Sequence, residues 1–149
     1  MNFLLDTSTV AFWYDKDLNP KYQKLHKRIS ELTNQDNLCI SVLTLYELQY
    51  SISNADEPTK SLLQLMFEKT KNSFKILFLT EKGAQVYGDL KRRLKDVKNI
   101  SRENIKKYNI DIMLASSAII ESCTLVSSDS DFEVLAEIDD RLKFQNWLD

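Results

Sequence analysis

Short apolar runs alternate with amphipathic helical stretches along most of this 149-residue chain. The runs have the length of buried strands, and the stretches between them carry apolar residues at helical spacing, as Tyr22, Leu25 and Ile29 do. Almost no hairpin signal separates the runs, so the strands are predicted to be parallel and joined by helices. We therefore predict a single domain over 1–149, a three-layer α/β/α sandwich around a mainly parallel sheet. The predicted strands are 2–5, 38–43, 74–79, 124–127 and 142–147.

An acidic residue follows an apolar, strand-like run at four places in the chain. This acidic quartet consists of Asp6, Glu47, Asp111 and Asp129. The carboxyl ends of parallel strands share one edge of a sheet, and ligands bind in the crevice there. Carboxylates gathered at one edge repel each other unless divalent cations lie between them, and such clusters bind Mg²⁺ or Mn²⁺. The pattern predicts metal-assisted phosphodiester cleavage. Asp131 is a possible additional acid, and either it or Asp129 could be the fourth acid that faces the metal; Asp129 is favoured because it is nearer the end of the strand.

Each acid also has a structural explanation when it is taken alone. Asp6 and Asp111 stand where a helix N-cap accepts backbone N–H groups, and Thr44-x-x-Glu47 matches a capping box. The two acids after the fourth strand could simply build its turn. The joint pattern favours convergence, because Asp6 follows an apolar N-terminal strand and Asp111 precedes the most apolar predicted helix, 112–121.

Composition excludes several other kinds of site. The chain has only 2 glycines, so it has no glycine-rich phosphate loop. His26 is the only histidine, which excludes a histidine-based zinc site and argues against a Ser-His-Asp triad. Cys39 and Cys123 are predicted to be small buried hydrophobes in a reducing compartment. Asp6 interrupts the first apolar stretch, and no apolar run approaches a membrane span, so a cytoplasmic location is expected.

Basic residues are concentrated in the segment 91–107. This segment carries a net charge of +6, although the whole chain carries −2. A basic stretch that leads into Asp111 could hold a phosphate backbone beside the metals, with Arg92, Arg93 and Lys95 as the predicted RNA contacts. The alternative is a solvated helix face without a ligand.

Five stretches of the chain, in order and spacing, resemble the PIN-domain family, and within it the VapC-type toxin ribonucleases of toxin–antitoxin pairs. They are 4–8, 40–48, 109–115, 125–132 and 142–147. Each stretch alone is weakly specific, whereas the ordered set covers the chain from end to end. Two departures concern glycines that the family usually has shortly after Glu47 and before Asp111, and they leave the acids intact.

The resemblance implies that the acidic quartet binds Mg²⁺ or Mn²⁺ and that metal-activated water hydrolyses RNA phosphodiesters. Hydroxyl groups near the quartet would orient its carboxylates, or would serve only as caps and turn formers. These candidate hydroxyls belong to Thr7, Ser8, Ser127 and Ser128. Two rival functions stay open: a metal-dependent DNA nuclease with the same acids, and a non-catalytic binding module.

The resemblance also implies two protein partners, a cognate small antitoxin that blocks the acidic cleft and a second copy of the chain in a homodimer. Apolar and aromatic residues exceed what one small core needs, so an exposed share of them is expected to form an interface. The candidates are Phe12, Trp13, Tyr14, Leu45, Tyr46, Tyr50, Leu62, Leu63 and Met66.

Overall fold

Five short parallel strands form the centre of the computed structural model, which describes residues 1–14 and 19–149. The strands are β1 (Asn2–Leu5), β2 (Asn37–Ser41), β3 (Lys75–Leu77), β4 (Thr124–Val126) and β5 (Lys143–Gln145). They lie in the order β3-β2-β1-β4-β5, and every neighbouring pair is parallel. The predicted parallel sheet is confirmed.

Helices connect the strands and cover the sheet. They are α1 (Thr7–Trp13), α2 (Pro20–Ser30), α3 (Val42–Ser53), α4 (Thr59–Ser73), α5 (Glu81–Val97), a short 3-10 helix (Asn104–Tyr108), α6 (Asn109–Ile120) and α7 (Asp131–Ile138). Two apolar clusters pack against the sheet, one with residues of α5, α6 and α7 and the other with residues of α1 and α2. The predicted single-domain, three-layer α/β/α sandwich is therefore confirmed.

β1 is buried on both of its faces, which explains its apolar sequence. Leu4 belongs to the α5–α6–α7 cluster, and Phe3 and Leu5 belong to the α1–α2 cluster. Successive side chains of a strand point to opposite faces, so a central strand needs apolar residues at each position. β1 pairs with β2 on one side and with β4 on the other. Its carboxyl end consequently lies in the middle of the sheet edge.

Several predicted strand ends are wrong, because helices or turns begin earlier than the apolar runs suggest. β2 ends at Ser41, whose hydroxyl accepts the backbone N–H of Leu43 and caps α3. The predicted capping box from Thr44 to Glu47 is thus wrong, since α3 is already under way at Thr44. β3 stops at Leu77, and the apolar residues that follow it are exposed. β4 and β5 are also shorter than the predicted strands 124–127 and 142–147.

α6 begins at Asn109, two residues before Asp111, so Asp111 lies in its first turn and is not its cap. This helix, the most apolar of those predicted, is largely buried: Ile112 and the whole stretch 114–118 are buried. Cys39 and Cys123 are free and buried, as predicted. In the ranges 1–14 and 19–149, no helix combines the length and the apolar character that crossing a membrane requires.

Candidate metal centre

The candidate site lies where β1 and β4 end side by side. The order β3-β2-β1-β4-β5 places the successive strands β1 and β2 on one side and β4 on the other, which makes a crevice at their carboxyl ends. Asp6 follows β1 directly, and its backbone N–H donates to the carbonyl of Val126, 3.1 Å away. This bond fixes the start of α1 against the end of β4.

The carboxylate of Asp6 is buried, at 6% exposure, and hydrogen bonds fix its orientation. The backbone N–H of Thr9 donates to it at 2.8 Å, so Asp6 caps α1 as the structural alternative predicts. The hydroxyls of Ser8 and Ser127 also donate to it. Helix capping and membership of the site are therefore compatible, because Ser127 brings a donor from the end of β4 as well.

Glu47 reaches the same edge from the second turn of α3. The hydroxyl of Thr7 donates to its carboxylate at 2.7 Å, and Thr7 and Thr44 share a further hydrogen bond of 3.0 Å. Thr44 is fully buried, so this chain of hydroxyls links exposed Glu47 to the interior. Sequence reasoning assigned Thr44 only a capping role and missed this contact, which joins residues far apart in the chain.

Asp111 lies among the other acids, and within residues 1–14 and 19–149 no basic side chain forms an ion pair with it. It has one carboxylate oxygen within 4.8 Å of oxygens from Asp129 and Asp131. Burial is the largest cause that raises the pKa of Asp111, and together with the negative charges of Asp129, Asp131, Asp6 and Glu47 it brings the pKa to about 6. All four members of the acidic quartet thus converge on one edge, together with Asp131.

Asp129 and Asp131 both lie at the site but differ in their contacts. Asp129 is exposed, and its backbone N–H donates to the Ser127 hydroxyl at 3.0 Å. Asp129 also accepts the backbone N–H of Asp131 at 2.9 Å, so it builds the turn into α7. Asp131 forms an ion pair of 2.8 Å with Lys98. Sequence reasoning did not place Lys98 at the site. This pairing supports the preference for Asp129 as the fourth acid.

The oxygen-only set of donors fits a hard divalent cation such as Mg²⁺ or Mn²⁺. The geometry also fits, since three carboxylates offer oxygens within 4.8 Å of one another and hydroxyls orient others. Of the four hydroxyl residues predicted to support the site, Thr7, Ser8 and Ser127 contact the quartet. Across the described ranges, Ser128 makes no side-chain hydrogen bond to an acid of the site.

The three predicted RNA contacts on α5 have different environments. The guanidinium of Arg93 donates to Asp139 at 2.7 Å, to the carbonyl of Ile138 at 2.6 Å and to Asp89 at 2.8 Å. Asp139 is buried, and hydrogen bonds from Arg141 and Arg93 hold its pKa well below its usual range. Arg93 thus joins α5 to the end of α7. Its guanidinium already donates to three protein acceptors, which leaves few N–H groups for RNA.

Arg92 and Lys95 are placed differently from Arg93, since they line an open pocket of about 460 Å³. We call this the basic pocket; its lining residues are Lys91, Arg92, Lys95, Arg102, Ile105 and Lys106. Arg92 also makes two long, exposed ion pairs, with Asp89 at 3.4 Å and Asp96 at 3.5 Å. Exposed pairs of this kind contribute little to stability and can be exchanged for contacts with phosphate.

Comparisons with known proteins identify the family of this chain and support its fold. Ribonuclease VapC2 of Rickettsia felis is 28% identical over 130 residues, which cover 86% of this chain and 87% of that protein. The structure of VapBC2 from Rickettsia felis bound to a promoter DNA fragment superimposes with a TM-score of 0.75 at 24% identity, covering 99% of both chains. VapBC-1 from nontypeable Haemophilus influenzae gives a TM-score of 0.74 at 17% identity over both full chains. The PIN domain model matches residues 3–138, so the chain belongs to the PIN-domain family.

Proposed function

We propose that this protein is a metal-dependent endoribonuclease and the toxin of a type II toxin–antitoxin pair. The observation that carries the proposal is the convergence of the acidic quartet, with Asp111 in the field of all the others. Its relative of similar length bears the name Ribonuclease VapC2, which supports ribonuclease activity in particular.

In the proposed reaction, Asp6 and Asp111 would hold the principal cation, and Glu47 and Asp129 would bind it directly or through water. A bound cation would lower the pKa of a coordinated water and offset charge on the phosphate. Ser127 and Thr7 contribute by fixing the carboxylates of Asp6 and Glu47, since orienting groups of this kind tune a metal site.

The basic pocket supports a path for the RNA backbone. Its five basic residues come from α5 and from the segment that leads into α6 and Asp111. Lysine and arginine bind phosphates without regard to sequence, and binding of that kind weakens as salt is raised. We infer that Arg92 and Lys95 contact the RNA backbone and contribute little to the chemistry.

Two partners belong to the proposal, a small antitoxin and a second copy of the chain. Exposed apolar side chains lie on α3 and α4, and those of Tyr46 and Tyr50 line an open pocket with Glu47, where a bound protein would cover the site. The exposed side chains are those of Tyr46, Tyr50, Leu62 and Leu65, which are between 54% and 72% exposed. Of the other interface candidates, Phe12, Trp13, Tyr14 and Leu45 pack against the core. The solved VapBC structures are similar to this chain in fold. A cytoplasmic location is also part of our proposal for this chain.

A cleavage assay with matched RNA and DNA oligonucleotides tests the proposed function. The wild-type protein should cleave RNA with Mg²⁺ or Mn²⁺, lose this activity with EDTA, and leave DNA of the same sequence intact. Asp111→Asn should be inactive, because a ligand of the cation is lost, whereas the exposed-surface variant Asp140→Asn should keep its activity. Cleavage of DNA alone would favour the DNA nuclease, and metal binding without any cleavage would favour a binding module.

A further inference from the structure

Lys98 is a cation built into the acidic cluster. It is the C-terminal cap residue of α5, and its ammonium lies 2.8 Å from Oδ1 of Asp131. The ammonium also lies 5.0 Å from the centre of the Tyr108 ring, just before α6 begins. The side chains of Lys98 and Asp131 are only 27% and 29% exposed, so water screens this pair less than it screens a surface pair.

The position of this pair matters because Asp131 belongs to the group of three carboxylates within 4.8 Å of one another. A divalent cation bound by Asp111 and Asp129 would share this small space with the ammonium of Lys98. Like charges repel, so the ammonium opposes the binding of the cation. It also occupies one oxygen of Asp131, which leaves this residue less able to bind a metal directly.

We propose that Lys98 is a counter-cation of the metal centre, which neutralises Asp131 and lowers the affinity of the acidic cluster for divalent cations. The inference rests on the proposed metal-dependent function. Lys98 would not contact the cation; it acts by direct repulsion and by occupying one oxygen of Asp131. Its role also differs from that of a simple structural ion pair, whose loss would disorder the acids and weaken metal binding.

The sign and size of the effect follow from Coulomb's law. A divalent cation and an ammonium that share one carboxylate are separated by about 5 Å, and removing the ammonium removes their repulsion. In a water-like dielectric the gain corresponds to a decrease of about tenfold in the dissociation constant. If the ion pair only held the acids in place, the loss of Lys98 would weaken metal binding. The direction of the change in affinity therefore separates repulsion from a purely structural role.

Calorimetric titration of the full chain with Mn²⁺ alone tests the proposal. Lys98→Met should bind Mn²⁺ about tenfold more tightly than the wild type, and Lys98→Arg should bind it as the wild type does. Lys71→Met is the matched control, because it removes a lysine from an exposed ion pair on α4, 3.9 Å from Glu68. The double variant Lys98→Met with Asp131→Asn restores the net charge, so its affinity should return to within about threefold of the wild type.

Circular dichroism and thermal melting first establish that each variant is folded, and Lys98→Gln serves as the neutral variant if Lys98→Met is not. Unchanged or weaker Mn²⁺ binding by the folded neutral variant would overturn the proposal. So would a double variant that keeps the full gain in affinity. A wild-type chain that binds no Mn²⁺ would instead refute the proposed metal-dependent function, so the two failures are distinguishable.

Discussion

Replacing Asp111 with Asn should stabilise the metal-free protein near neutral pH. Burial and the neighbouring carboxylates raise the pKa of Asp111 from 3.8 to about 6, so ionised Asp111 opposes folding. Each pKa unit corresponds to about 1.4 kcal/mol, which gives an upper value of about 3 kcal/mol. Asp111 is only partly buried, and solvent and salt screen its neighbours, so we expect a gain of about 1–2 kcal/mol.

The pH dependence gives this prediction its sign. The folded protein holds the proton of Asp111 more tightly than the unfolded chain does, so protonation favours folding. The stability of the wild type should therefore fall as pH rises from 3.8 to about 6, and then stay lower because of this residue. Asn has no such titration, so the advantage of Asp111→Asn should shrink to about 0.5 kcal/mol near pH ~4.

Urea denaturation in EDTA, followed by circular dichroism across this pH range, measures the effect. Asp140→Asn is the matched control, because it removes an exposed acid and should change stability by less than about 0.5 kcal/mol. When EDTA is replaced by Mn²⁺, the wild type should gain stability but Asp111→Asn should not, since only the wild type keeps this ligand of the cation. An Asp111→Asn protein that is less stable than the wild type at neutral pH would refute the argument from repulsion and burial.

Three further predictions concern residues around the site. Arg93→Ser should lower the free energy of unfolding by about 1–3 kcal/mol in urea denaturation, because it leaves buried Asp139 with one hydrogen-bond partner fewer. The control Arg92→Ser should lower the free energy of unfolding by less than about 1 kcal/mol. Replacing Arg92 and Lys95 with Ser should reduce the log–log salt dependence of single-stranded RNA binding by about 0.7 for each lost phosphate contact, while turnover at saturating RNA changes little. Ser127→Ala should weaken Mn²⁺ binding in calorimetry, because Asp6 loses an orienting donor.

The sequence was sufficient to predict the parallel sheet and the convergence of the acidic quartet. Both follow from local features, namely the apolar strand runs and the acids placed at their ends. The ends of the elements were less predictable, because apolar residues continue past Ser41 into α3. The chain reads as one apolar stretch there, and only the capping contact of Ser41 shows where the strand stops.

The contacts that join distant segments could not be predicted from the sequence. Lys98 and Asp131 are 33 residues apart, and Arg93 and Asp139 are 46 residues apart. Neither pair has a local signal, since each depends on how α5 packs against α7. For this reason the sequence gives no sign that the basic residues of 91–107 have different roles. In the structure Arg93 pairs with buried Asp139, Lys98 pairs with Asp131 of the acidic site, and other basic residues line the basic pocket.

The central claim is that the acidic quartet holds a divalent cation, and anomalous diffraction from crystals soaked in Mn²⁺ tests it most directly. We expect an anomalous peak at the carboxyl ends of β1 and β4, at direct coordination distance from the carboxylate of Asp111 and from that of Asp6 or Asp129. The peak should be absent from crystals of Asp111→Asn treated in the same way. Mn²⁺ bound only elsewhere, or no bound Mn²⁺ at saturating concentration, would contradict the account.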